Sequence, residues 1–332
     1  MNMHDTIARL FVEPKGILAA DESSKTATKR FEAVGIDSTT ENRRLYRQML
    51  FETPEFAQYI SGVILYDETF WQSNDSGVSF VDYLSKLGII PGIKVDCGLV
   101  PLTNFEPETI TEGLDGLDAR LHKYAQAGAR FTKWRAAFQI DQDKSLPTMA
   151  AIHANLNLMA RYAALVQSHQ MVPIVEPEVL YDGEHTIELS AEVTSNVLRV
   201  LYDLLTAYRV DLSCTILKTS MVLAGNKSAK PSSPDQVANH TLEVLRERVP
   251  SEVGGIVFLS GGQTPEQASA NLNAIDSQGT QPWPITFSFS RAVQDPAIKV
   301  WAGQSANVAA AQKEFAVWLA KNALARRGKL SE

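Results

Sequence analysis

The sequence predicts an α/β protein folded as a single (β/α)8 barrel over residues 1–332, and three observations carry that prediction. Eight short β-prone runs recur along the chain, their starts spaced by roughly 30 to 45 residues, which suits a barrel of the TIM type. Most intervals between them have helical periodicity, and strand alternating with helix implies parallel pairing through helical crossovers. The first run continues as GILAADES and has no GxGxxG turn, so the phosphate loop of an open dinucleotide-binding sheet is missing.

In chain order the runs are GILAAD (16–21), ISGVILY (60–66), IPGIKVD (90–96), ARFTKWRAAF (129–138), MVPIVEPEVL (171–180), DLSCTILKTSMV (211–222), GGIVFLSGG (254–262) and PITFSFSR (284–291). Each is rich in β-branched and aromatic residues or bounded by Gly and Pro. The clearest helices are 149–168 and 193–208, with apolar residues at i, i+3, i+4 and i+7. Two more helices announce their starts: Ser233-Pro-Asp-Gln236 and Thr264-Pro-Glu-Gln267 each offer an N-cap hydroxyl, a Pro at the first helical position and a Gln to complete a capping box. Pro and Gly fall in scattered turns, so no linker, repeat or second domain is expected.

Hydrophobic residues make up 45% of the chain and charged residues 21%, enough apolar material for a large core. The net charge is −7, without a basic cluster or arm, which argues against nucleic acid as a partner. A phosphorylated small molecule remains compatible, since a few cations and backbone N–H groups suffice to hold it. Two cysteines, Cys97 and Cys214, provide no disulfide framework and suggest a reducing compartment. No signal-peptide core and no membrane-length apolar run is present, so a cytoplasmic protein without a membrane partner is expected. The six histidines are scattered, with no HExxH or HxH, and neither metal nor cofactor is expected.

The charges sit at the strand ends, where such barrels keep their active sites. Strand one ends in Asp21-Glu22-Ser23, strand three in Lys94-Val-Asp96, and strand four carries Lys133-Trp-Arg135. Strand five carries Glu176-Pro-Glu178 and strand six ends in Lys218. Side chains alternate with period 2, so each i, i+2 charged pair shares a face. Facing outward, these pairs would bury six charges under apolar helix stripes, at high cost. Facing inward, they form one mixed cluster at the barrel mouth. An ammonium crowded by other cations gives up its proton more readily, and a neutral amine attacks a carbonyl to form a Schiff base. Ser260-Gly261-Gly262 ends strand seven just before the helix capped at Thr264, and Arg291 follows Ser288-Phe-Ser290 at the end of strand eight. Loops after strands seven and eight are the usual phosphate site of these barrels, and an arginine there adds a bidentate clamp. Lys25, Lys29 and Arg30 offer cations for a second phosphate or form a solvated helix face.

The motifs GILAADES (16–23), ENRRLYRQML (41–50), GVILYDET (62–69), GIKVDCG (92–98), FTKWR (131–135), IVEPE (174–178), ILK (216–218), FLSGGQ (258–263) and NLNAI (271–275) together resemble class I fructose-1,6-bisphosphate aldolase. The resemblance implies reversible, metal-independent cleavage of fructose 1,6-bisphosphate to dihydroxyacetone phosphate and glyceraldehyde 3-phosphate. It implies Lys218 as the Schiff-base lysine, Glu176 as general acid and base, and Asp21 as the carboxylate assisting at the C4 hydroxyl. Lys133 matches the cation that favours the neutral amine and stabilises the carbinolamine, and Glu178 the carboxylate that orients the lysines. Ser260, Gly261, Gly262, Ser288, Ser290 and Arg291 match the site of the C1 phosphate. Ser23, Thr26, Lys29, Arg30 and Lys94, with Arg135 nearby, match the region that handles the C6 phosphate. A homotetramer is expected by family analogy.

Three departures from the animal and plant pattern stand out. Thr219-Ser220 replace Pro-Asn after the lysine, and Phe289-Ser290 replace Tyr-Gly, with the Ser290 side chain expected to narrow the approach to the C1 phosphate. The chain ends at Lys-Leu-Ser-Glu332 without a long tail ending in tyrosine, which suggests a bacterial-type variant. In relatives that tail assists proton exchange at C3 and favours the bisphosphate, so fructose 1,6-bisphosphate, fructose 1-phosphate and sedoheptulose 1,7-bisphosphate stay open as preferred substrates. Two other readings compete. A retaining glycosidase built on Glu176 and Glu178 leaves Lys218 unexplained and puts both carboxylates on one strand, where the usual pair faces each other about 5–5.5 Å apart across the sugar. A non-catalytic sugar-phosphate-binding barrel or scaffold is the second, motivated by Thr219 and Ser290.

Overall fold

A computed structural model describes residues 1–331. Eight strands form one parallel sheet: β1 (Gly16–Ala20), β2 (Ile60–Leu65), β3 (Ile90–Lys94), β4 (Phe131–Phe138), β5 (Val172–Val179), β6 (Ile216–Thr219), β7 (Gly255–Phe258) and β8 (Ile285–Phe287). Neighbours in the chain are neighbours in the sheet. Just past β8, the Phe289 carbonyl accepts from the Ala19 N–H of β1 at 3.1 Å and draws the edges together into a barrel. Helices ring the outside. The periodic stretches fall on Met149–Ser168 and Ile187–Ala207, and both expected capping boxes form, at Ser233 with Gln236 and Thr264 with Gln267.

Period-2 alternation divides the apolar residues between two layers. Leu18, Val63, Ile93, Trp134, Val175, Leu217, Ile256 and Phe287 face outward into the core between sheet and helices. Ile17, Ala19, Ile64, Ile90, Phe131, Val172, Ile174, Ile216 and Val257 face the barrel axis. The N-terminal helix Met3–Leu10 and the residue after it press Ile7, Leu10 and Phe11 into the same cluster and plug the barrel floor. Glycine makes room there: a Cβ on Gly92 would stand 2.3 Å from the Phe131 ring. The same inward rows continue toward the strand ends as Asp21, Lys94, Lys133, Arg135, Glu176, Glu178 and Lys218. The barrel is therefore greasy below and charged above.

Strand bounds differ from the sequence reading where local hydrogen bonds compete with the ladder. β6 begins at Ile216 because Asp211 accepts from the Ser213 N–H at 3.0 Å and winds Leu212–Cys214 into a 3-10 turn. It ends at Thr219 because Ser220 turns its hydroxyl to the Val179 carbonyl at 2.7 Å, and the Val222 N–H donates to Thr241 Oγ1 at 2.9 Å. A two-stranded antiparallel hairpin, Gly98–Pro101 with Thr109–Glu112, lies in the connection after β3. It is pinned by the Thr111 hydroxyl, which donates to the Arg135 carbonyl at 2.8 Å. Among the described residues no helix is long and apolar enough to cross a membrane.

Candidate active site

The ends of the strands open into a cleft of about 870 Å³. At its bottom β4 holds Lys133 between two carboxylates. The Lys133 Nζ lies 2.5 Å from Asp21 Oδ2, just past β1, and 3.1 Å from Glu176 Oε2 on β5. The other oxygen of Glu176 faces β6, where Lys218 Nζ lies 3.2 Å away. Glu176 thus sits between two ammonium groups, and all four side chains are buried. Parity explains the meeting: Lys133, Glu176 and Lys218 extend the inward rows begun by Phe131, Ile174 and Ile216.

Burial and ion pairing oppose each other in this cluster, and pairing prevails. Burial pushes the Asp21 carboxyl up, but Lys133 and then Lys218 outweigh it and bring it down to about 2. Burial works equally against the Glu176 carboxylate, yet Lys133 and Lys218 hold it below the usual range. Burial disfavours the Lys133 ammonium too, while Asp21 and Glu176 raise it well above an ordinary lysine. Lys133 is a fixed cation, and Glu176 is held as a carboxylate between it and Lys218. The two ammonium groups are unequally held: Lys133 has two carboxylates and Lys218 has one.

Beside this cluster, where the sheet runs on from β6, lies the loop after β7. Gly261 (φ 55°) and Gly262 (φ 100°) both adopt the left-handed backbone that favours glycine, and Thr264 then caps the helix Pro265–Asp276. Arg291 opens the next helix, Arg291–Trp301, and its guanidinium lies over the loop, 3.7 Å from where a Cβ on Gly262 would be. Between them Ser288 is 1% exposed, and its Oγ has no hydrogen-bond partner among the described residues. A buried hydroxyl of this kind is costly unless something completes it. Arg291 forms no ion pair among the described residues. Ser260, Gly261, Ser288, Ser290 and Arg291 line the cleft; Gly262 stands just behind, against Arg291 and Tyr181.

The far wall carries Ser23, Thr26, Lys29, Arg30, Lys94 and Arg135. Lys25 and Lys29 are exposed and form no ion pair among the described residues. The others are engaged: Ser23 caps the helix Ser24–Glu32, Lys94 pairs with Asp96, and Arg30 pairs with Glu22 and, at 2.7 Å, with Asp295.

Two expectations need correcting. Glu178, expected beside the lysines, pairs with none of them among the described residues; its Oε2 accepts from Arg135 Nε at 2.5 Å. Two residues beyond Glu176, it stands about 6.6 Å further along the strand, level with the rim rather than with Lys133. The Ser290 hydroxyl does not narrow the anion site. It donates to Glu22 Oε1 at 2.5 Å.

Glu22 is the residue that sequence reasoning missed. It gathers Arg30, Arg47 and Ser290 and ties the end of β1 to the start of Arg291–Trp301. The signal was faint: Arg47 is a charge on the otherwise apolar buried face, with Tyr46 and Leu50, of the helix Thr40–Phe51. Tyr66, Cys97 and Leu99 also line the mouth.

Comparison with known proteins follows this geometry. The family model "Fructose-bisphosphate aldolase class-I" matches residues 2–332. A protein of Xanthomonas campestris named probable fructose-bisphosphate aldolase class 1 is 49% identical over 97% of this chain and 96% of its own length. The Drosophila melanogaster fructose-bisphosphate aldolase is 47% identical over 97% of this chain and 90% of its own. A solved structure of the Plasmodium falciparum aldolase superposes with a TM-score of 0.97 at 44% identity, covering 99% of this chain and 95% of that one. With a lysine at the end of β6, its paired carboxylate and full-length likeness to these enzymes in agreement, the chain belongs to the class I fructose-bisphosphate aldolase family.

Proposed function

We propose that residues 1–332 act as one catalytic unit that cleaves fructose 1,6-bisphosphate through a Schiff base on Lys218. The observation that carries the assignment is Glu176, with one oxygen 3.2 Å from Lys218 Nζ and the other 3.1 Å from Lys133 Nζ. Glu176 takes the proton that Lys218 sheds as its amine adds to the C2 ketone. It returns that proton to the carbinolamine hydroxyl, which leaves as water, while the Lys133 ammonium steadies the developing charge.

In the cleavage step the C4 hydroxyl proton passes to Glu176, with Asp21 assisting. The C3–C4 bond breaks, and its electrons flow into the protonated imine to give an enamine and glyceraldehyde 3-phosphate. Protonation at C3 and addition of water then free dihydroxyacetone phosphate and restore the amine. Orphaned Ser288 Oγ, the Ser260–Gly262 loop, the Ser290 N–H and Arg291 would receive the C1 phosphate. Lys29, with Ser23, Thr26, Arg30, Lys94 and Arg135 around it, would receive the C6 phosphate. Glu178 serves by holding Arg135, and so acts on the rim rather than on the amine. The family resemblance further supports a cytoplasmic homotetramer, which light scattering on the purified chain tests.

Borohydride added with dihydroxyacetone phosphate will increase the mass of the peptide holding Lys218, and Lys218→Ala will abolish both the adduct and turnover. Adduct on another lysine, or near-normal turnover in Lys218→Ala, would sink the mechanism. Binding of fructose 1,6-bisphosphate without release of triose phosphate would instead make the barrel a scaffold. Rates on fructose 1,6-bisphosphate, fructose 1-phosphate and sedoheptulose 1,7-bisphosphate establish the preference.

A further inference from the structure

At the end of the barrel away from the cleft, three side chains from distant parts of the chain converge. His4 is on the helix Met3–Leu10, Asp211 caps the 3-10 turn Leu212–Cys214, and Cys214 closes that turn before β6. The Cys214 Sγ lies 3.6 Å from both ring nitrogens of His4. One ligand atom from each of the three residues falls within 4.8 Å of the other two. We propose that His4, Asp211 and Cys214 form a Zn²⁺ site that fastens the N-terminal plug to the root of the strand carrying Lys218.

Three observations carry this. Zn–S bonds of about 2.3 Å and Zn–N bonds of about 2.0–2.1 Å at a tetrahedral angle set sulfur and nitrogen about 3.6 Å apart. The Cys214–His4 separation therefore already has the length of one edge of a zinc tetrahedron. The carboxylate is held in place from outside the cluster: Asp211 Oδ1 accepts from the Ser213 N–H at 3.0 Å and from Ser213 Oγ at 2.6 Å. Such supporting bonds are what orient metal ligands. His4 and Asp211 are exposed while Cys214 is buried, so an ion has an open approach and one dry, soft ligand at its end.

The mixed sulfur, nitrogen and oxygen set favours Zn²⁺ over Mg²⁺ or Ca²⁺, which take oxygen. The Zn²⁺ ion replaces the Cys214 thiol proton, which leaves to solvent, and water fills the fourth position. A nucleophilic Cys–His–Asp reading fails on room: Cys214 is 1% exposed and packed with Ile7 and Phe11, which leaves its sulfur space for a single ion beside His4 but none for an organic substrate. No local spacing announces this set, since His4 lies far from the other two ligands along the chain.

The full chain carrying Cys97→Ser is titrated with Co²⁺ as a spectroscopic stand-in, then with Zn²⁺. The expected result is one Co²⁺ per chain with thiolate-to-cobalt charge-transfer absorption, its displacement by Zn²⁺, and a Tm that rises with Zn²⁺ concentration. Cys214→Ser loses the absorption. His4→Ala, an exposed change that spares the fold and the turnover, weakens Zn²⁺ by roughly tenfold or more and cancels the Tm rise. Absence of thiolate absorption in the Cys97→Ser protein, or absorption of equal strength in His4→Ala, overturns the site.

Discussion

Replacing Lys133 with methionine keeps an unbranched side chain, shorter by the terminal nitrogen, and deletes the charge between Asp21 and Glu176. Asp21 keeps its burial but loses its nearest cation. Burial alone pushes a carboxyl up; Lys133, with Lys218 behind it, brings Asp21 from 3.8 to about 2. At about 1.4 kcal/mol per tenfold change in proton affinity, the difference is worth about 2–3 kcal/mol of stability. The folded value lies below the unfolded one. This contribution is therefore complete above about pH 5 and disappears as pH falls through about 2. Removing one partner of a buried pair costs about 3–5 kcal/mol; here Asp21 loses its ion-pair partner outright, while Glu176 keeps Lys218. The expected loss at pH 7.5 is about 4 kcal/mol. In the variant Asp21, left buried without its ion-pair partner, takes up a proton as the solution is acidified, so the gap to the parent should shrink by roughly half by pH 4.5. Urea unfolding followed by far-UV circular dichroism at the two pH values measures it. An equal gap at both values, or a methionine variant as stable as the parent at pH 7.5, would show that Lys133 does not hold the two carboxylates in their charged forms.

Other substitutions separate the parts of the site. Glu176→Gln should lower kcat by about 10²- to 10⁴-fold, as loss of a general acid and base does, with borohydride capture slowed rather than lost; a kcat within tenfold of the parent refutes its role. Gly262→Val forces a branched residue into a φ of 100°, at a cost of about 1–3 kcal/mol, and should raise KM for the bisphosphate more than it lowers kcat. Ser290→Gly removes a hydroxyl that serves Glu22 and leaves the backbone N–H in place, so turnover should stay within about fivefold. Arg47→Ala leaves Glu22 with Arg30 and Ser290 alone and should cost about 1–3 kcal/mol in urea unfolding, with KM rising as the start of the Arg291 helix loosens.

Most of the barrel was legible because its strands obey one local rule. Alternation placed Ile174 and Glu176 on one face and Val175 on the other, and the structure keeps all three there. The charged cluster followed from the same parity, since like-facing residues near the strand ends converge on the barrel mouth. Where several short-range forces compete, the reading lost accuracy. The run 211–222 looks β-prone throughout, yet only four residues join the ladder, because Asp211 and Ser220 hydrogen-bond their neighbours' backbone instead. The hairpin after β3 was invisible, as GLVP and TITE are too short to set a period. Ser290 and Glu22, whose hydrogen bond spans 268 positions, leave no local pattern at all. The partners found for Glu178, expected beside the lysines, and for Ser290, expected at the C1 phosphate, are Arg135 and Glu22, and such choices depend on distances only the fold supplies.

The plug of Ile7, Leu10 and Phe11 makes the cleft a room with a single door. Water released when the carbinolamine collapses has no exit downward through the aliphatic floor. It must leave past the sugar phosphate that is entering, and the water that later hydrolyses the imine must return the same way. Both waters and the sugar phosphate therefore share one opening in every turnover.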